Sequence, residues 1–198
     1  MVAALCAGIA QADQEFVAQK GLQSSFPESC GEDTTITRMD SDSSTLLARL
    51  IRGQRTAALG TLRQGAPLVS MVLYLPAPDF SAFHVHVSRL AWHTQDMLAD
   101  ARVSLSIAAT DDGTGNPQLL ERVSLRGEAT PLPNGTPGHA GLKARWLERF
   151  PDSAINFELS DFAFFHIAPR DARFVAGFGR IHNLSASALA EAAAPPKA

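Results

Sequence analysis

The stretch FHVHVSRLAWHTQDMLADARVSL, residues 83–105, changes its hydrophobic period twice. It opens by alternation, with Phe83, Val85 and Val87 on one side and His84, His86 and Ser88 on the other, the period of two that a strand imposes. LAWHTQDMLAD then suits a short helix, and RVSLSIAA (102–109) returns to alternation with Val103, Leu105 and Ile107 inward. Upstream, TAALGTL (56–62) and PLVSMVLYL (67–75) flank Arg63-Gln64-Gly65-Ala66, which is hairpin spacing with a glycine in the turn. Before them TLLARLIRGQ places Leu46, Leu47, Leu50 and Ile51 at helical spacing, with Ser43 or Ser44 as N-cap and Gly53 as the stop.

Downstream the same arithmetic holds. RVSLRGEATPL (122–132) is a strand with Val123 and Leu125 inward and Ser124 and Arg126 outward, and PNGTPGH breaks the chain before the helical AGLKARWLERF (140–150). FAFFHIAP (162–169), ARFVAGF (172–178) and GRIHNL (179–184) read as three strands, and SASALAEAAAPPKA as a short helix ending at Pro195-Pro196. Six or seven strands against three short helices predict a mainly β fold, an antiparallel barrel with helices at its ends. The polar tract Gln23 to Ser44 buries too little to fold alone. The expected division is a flexible leader (1–43), one domain (44–185) and an Ala/Pro-rich tail (186–198).

Composition narrows the function. With 198 residues and 45% of them apolar, one domain builds a core without staples. Folding leaves roughly 9,000 Å² exposed of the roughly 30,000 Å² the unfolded chain presents. Seventeen basic residues against 20 acidic ones, for a net charge of −3, exclude a protein that wraps nucleic acid. No run is long enough for a membrane helix. Cys6 and Cys30 form neither a disulfide framework nor a zinc spacing, which favours a reducing, cytoplasmic compartment. Met1 to Ala12 resembles a short secretory signal but has no Lys or Arg before its apolar part, so a frayed or mis-started segment fits better. Hydrolase elbow, Walker loop and acidic pair are all missing.

Three groups of residues can carry chemistry. Ser88, Trp92, His93 and Thr94 stand where a strand meets a helix, which makes either a phosphate seat of free N–H groups, hydroxyl and imidazole, or a simple helix cap. His84 and His86 share a strand face and could bind metal with His166 or His182; a solvated or interface-facing strand edge is the simpler reading, and no metal is expected. Phe162, Phe164, Phe165 and Trp146 fit core packing better than stacking on a ligand.

The succession LLARLIRGQ, AALGTLRQGAPLVSMVLY, FHVHVSRLAWHTQDMLADARVSL, RVSLRGEATPL and DARFVAGFGRIHNL resembles the pyridoxamine 5′-phosphate oxidase-related FMN-binding split-barrel family over about residues 44 to 185. More narrowly it resembles the branch that includes the bacterial haem-utilisation oxygenases, through LAWHT and RFVAGFGR. The resemblance implies FMN at a homodimer interface and an oxidoreductase acting on a small molecule. It implies that Ser70, Met71, Val72 and Leu73 line the isoalloxazine and ribityl chain, that His86 and Val87 flank the flavin, and that Trp92, His93 and Thr94 take the phosphate with Ser88 in the same turn. Arg122 stands where the relatives place an amide near the ring. Arg180 is the candidate anion-binding arm over flavin or substrate carboxylate, or else an arginine closing the turn that Gly177 and Gly179 allow. Where the oxidases carry an arginine, a lysine and an Arg-Lys pair, this chain has Ser70, Leu75 and Trp92-His93. Fewer cations shift the load to hydroxyls and N–H groups. The alternatives are a non-catalytic or haem-binding barrel, with His182 as candidate ligand, and a deazaflavin in the same groove.

Overall fold

The computed structural model describes residues 39–194. The signal-like segment, Cys6, Cys30, most of the polar tract and Pro195-Pro196 lie outside the described residues. The first element is α1 (Ser41–Gly53), and its N-cap is Asp40 rather than Ser43 or Ser44. Asp40 Oδ1 accepts from the Ser43 N–H at 2.7 Å and puts a charge at the positive end of the helix, whereas Ser43 is buried within the first turn. The helix thus takes in three residues of the expected leader.

A hairpin follows. β1 (Thr56–Arg63) and β2 (Ala66–Leu73) pair to their ends at Arg63 and Ala66, leaving Gln64 and Gly65 at φ of +53° and +83°. Two positive φ values mark the type I′ turn that suits strand twist. The strand expected to run to residue 75 breaks at Tyr74, whose hydroxyl donates to the Ile51 carbonyl at 2.6 Å, and resumes as the two-residue β3 (Leu75–Pro76). Then come β4 (Phe83–Ser88), α2 (Trp92–Ala99), β5 (Arg102–Ala108), β6 (Arg122–Leu132), α3 (His139–Arg149), a 3-10 segment (Pro151–Phe157), β7 (Phe162–Val175), β8 (Ile181–Ser185) and α4 (Ala186–Ala193).

The strands form one antiparallel sheet in the order β2-β1-β5-β6-β7-β4-β3, with β8 also on β7. The mainly β, split-barrel architecture is the expected one. Two expected strands, 162–169 and 172–178, are instead a single strand of 14 residues. Pro169 is tolerated inside it because the register with β6 shifts between Arg126 and Gly127, next to the Gly127–Pro169 pair.

The main core joins Leu47, Leu59, Tyr74, Phe83, Leu105, Leu125, Phe174 and Leu189, so α4 packs into the barrel rather than trailing from it. Arg52 Nη2 donates to the Ala193 carbonyl at 2.6 Å and ties α4 to α1. A second cluster of Leu75, Leu142, Trp146, Phe150 and Phe164 lies under α3. β4 therefore has buried residues on both its faces, and His86 does not stand on a solvated edge, the first of the two alternatives the alternation left open. As expected, Trp146, Phe164 and Phe165 are buried. No helix among the described residues is long and apolar enough to cross a membrane.

Candidate functional site

The junction of β4 with α2 is tightly built. The Ser88 hydroxyl donates to Asp161 and accepts from the Leu90 N–H, while the Arg89 N–H and guanidinium go to the carbonyls of Asp161 and Ser160, both at 2.7 Å. Ser88 thus fixes the turn. It does not cap the helix, since the N-cap is Ala91 and no side chain serves it; the Thr94 and Gln95 N–H groups both reach the Ala91 carbonyl. The amides of Trp92 and His93 come before those first bonds. Beside them, Thr94 is fully buried and its Oγ1 has no protein partner, nor has His93 Nε2. Burial, only partly offset by Asp96, lowers the His93 pKa and favours a neutral ring.

One turn further on, the buried Asp96 accepts from Thr61 Oγ1 and from Arg63 Nη1, each at 3.0 Å. The Arg63 guanidinium also lies 4.2 Å from the centre of the Trp92 ring, which is 60% exposed. By local sequence alone Arg63 is a turn residue. A signal existed: strand period puts Thr61 and Arg63 on one face, so both can meet one acid.

The other expected residues stand on β2, β4, β6 and the turn before β8. Along β2, Val69 and Met71 are 68% and 72% exposed, Ser70 and Leu73 are half-buried, and Val72 joins the main core with Val87 of β4. Val72 and Val87 thus have their side chains in the core. His86 sits in an aromatic box, stacked on Phe157 at 4.1 Å with Trp146, Phe162 and Phe164 around it. Burial, with repulsion from His139 and Lys143, holds its pKa down to about 4. His84 meets His166 across the strands at 5.4 Å, and burial and that neighbour likewise hold it at about 4. His182 is stacked on Phe174. Among the described residues no three metal-binding side chains converge.

Arg122 donates to the carbonyls of Gln118 and Leu120 at 3.1 and 3.2 Å, bracing the 3-10 turn Pro117–Leu119. Arg180 Nη2 donates to the Ala176 carbonyl at 2.5 Å across a turn with Gly177 and Gly179 at φ of +113° and +73°. That bond closes the turn. It leaves Phe178 90% exposed. A groove of about 740 Å³ runs over β2, β1, β5, β6 and β7, with Leu62, Val69 and Val103 among its apolar lining and Arg102, Arg126 and Arg170 among its charges. None of the expected site residues lines it, but Thr61, the partner of Asp96, does.

Residues 45–176 match the family described as pyridoxamine 5′-phosphate oxidase. The chain is 33% identical over 132 residues to the chloroplastic non-canonical haem oxygenase HOZ of Arabidopsis thaliana, a match covering 65% of this chain and 38% of that protein. The chain thus spans less than half the length of that relative. Among solved structures it is similar to a haem-binding protein from Mycobacterium smegmatis, with a TM-score of 0.67 and 25% identity over 75% of this chain and 60% of that one. A putative pyridoxamine 5′-phosphate oxidase from Listeria innocua shares the fold, with a TM-score of 0.52 and 14% identity over 68% of this chain and 98% of that one. The family match runs from α1 through every strand of the sheet but β8, and with the eight-stranded antiparallel sheet it shows that this chain belongs to the pyridoxamine 5′-phosphate oxidase family.

Proposed function

We propose that the protein is an FMN-binding oxidoreductase of this family, acting on a small molecule, with the flavin phosphate on the first turn of α2. One observation carries the reading: Thr94 Oγ1 and His93 Nε2 are buried without protein partners beside the two amides that open the helix. A buried polar atom left unmatched costs about 1–3 kcal/mol, so the group suits an acceptor-rich ligand. These residues would hold the phosphate, and the β2 segment Ser70 to Leu73 would run along the ring and chain. When bound, the flavin supplies the redox chemistry. The protein contributes orientation and the exclusion of water.

The homodimer belongs to the same reading. Val69 and Met71 present an apolar strip on β2 that a second copy would cover, placing a flavin between copies and completing its enclosure. A cytoplasmic, reducing setting accords with the cysteine usage.

Titrating purified protein with FMN, followed by flavin fluorescence and by thermal unfolding, tests the proposal. Binding is expected to add about 2.7 kcal/mol of stability at a hundredfold excess over Kd. Thr94→Val should weaken it about tenfold through the lost hydroxyl. No quenching and no stabilisation by FMN would sink the reading, and displacement of FMN by a deazaflavin would redirect it to that cofactor.

The haem names of the Arabidopsis and Mycobacterium relatives support a second reading, a haem-binding barrel. His182 is its candidate ligand, because Nε2 lacks a protein partner. A haem Soret shift abolished in His182→Ala, in protein that retains no flavin, would favour it.

A further inference from the structure

A phosphate dianion calls for a cation. Ser70 and Trp92 carry no charge, and burial lowers the His93 pKa and favours its neutral ring. Arg89, on the same turn, is turned to the Ser160 carbonyl. Arg63 reaches the first turn of α2 from another element, the end of β1.

Its guanidinium is fixed on two sides. The face rests on Trp92 at 4.2 Å, and Nη1 is held by Asp96 at 3.0 Å, whose carboxylate is itself anchored by Thr61. One of five N–H donors is thereby used, and Nε and Nη2 have no partner among the described residues. A planar fork already oriented loses little freedom on binding an oxyanion, and a cation over an indole face is worth about 0.5–2 kcal/mol in placing it. Trp92 thus holds a cation supplied by the end of β1.

We propose that Arg63 is the residue that reads the flavin phosphate, with Trp92 and Asp96 as its positioning residues. The proposal rests on the flavin reading above and adds the discrimination between a phosphorylated and an unphosphorylated flavin.

The test compares FMN with riboflavin, measured by fluorescence quenching on the full-length protein and its variants. The wild type is expected to bind FMN more tightly than riboflavin. Arg63→Gln should weaken FMN about 10- to 100-fold, the scale of a lost charge-assisted contact, and leave riboflavin within about threefold. Arg63→Lys should fall between, keeping charge without the fork. Because Arg63→Gln leaves Asp96 buried without its cation, the double variant Arg63→Gln/Asp96→Asn guards against a folding defect and should show the same selective loss of FMN. If Arg63→Gln or the double variant holds FMN within twofold, or loses both flavins equally, Arg63 does not read the phosphate. If the wild type binds neither flavin, the flavin reading falls and takes this inference with it.

Discussion

His86 is a titratable side chain enclosed by aromatic rings, and the enclosure sets its pH behaviour. Its folded pKa of about 4 lies below the ordinary 6.5, as does that of His84. Above pH 6.5 both rings are neutral whether the chain is folded or not. Between pH 6.5 and 4 the unfolded chain takes up protons that the folded one refuses, so stability falls with acidification, by up to about 1.4 kcal/mol per pH unit for each ring. His86→Phe keeps the stack on Phe157 and removes one proton site. Its loss of stability between pH 7 and pH 5, measured by urea unfolding, should be smaller than that of the wild type. An equal loss would place the acid sensitivity elsewhere. The sequence located His84 and His86 on a common strand face, but what covers them comes from α3 and the 3-10 segment more than 50 residues later, beyond local periodicity. Arg63 escaped for the same reason, its acid and its indole standing about 30 positions away.

Among the elements, the β1–β2 hairpin is the one whose sequence and geometry disagree. Gln64 sits at φ +53°, where a side chain with a Cβ is strained, although the Asn-Gly pair is what such turns favour. Gln64→Asn is expected to stabilise the fold by about 0.5 kcal/mol, seen as a higher urea midpoint at unchanged slope; no gain would mean that the turn relaxes freely. Gly127 is the opposite case, because a Cβ there would lie 2.2 Å from the Ala168 carbonyl. That close approach allows β7 to run on through Pro169. Alternation and turn residues were enough to read β1, β2, β4, β5 and β6 nearly to the residue. They divided β7 because Pro169-Arg170-Asp171 has the chemistry of a turn, and only the bulge on the facing strand shows otherwise.

At the scale of the molecule, the exposed strip of β2 calls for a partner. Val69→Glu with Met71→Glu puts two charges on it at almost no cost to the isolated fold, since both side chains are largely in solvent. Light scattering should show a dimer for the wild type and a monomer for the double variant, and FMN affinity should drop with the dimer. A wild-type monomer would remove the second copy from the site. The strands of the barrel were legible because each carries its own alternation, although β1 pairs with β5 and β4 with β7 across long stretches of chain; the completeness of the site was not, since a surface facing another molecule reads like any other half-polar strand.

The clasp between α1 and α4 has a consequence for how the chain can be cut and joined. Arg52, in the last turn of α1, holds the carbonyl of Ala193, so the end of α4 is fixed beside the end of α1, about 18 Å along that helix from Asp40. A linker long enough to run back along α1 from Ala194 to Asp40 would close the polypeptide into a ring, and the exposed loop at 110–116, between the paired strands β5 and β6, offers a place to open it. Circular permutation there would preserve every strand pairing and the first turn of α2, because the barrel depends on which strands are neighbours and not on where the chain begins.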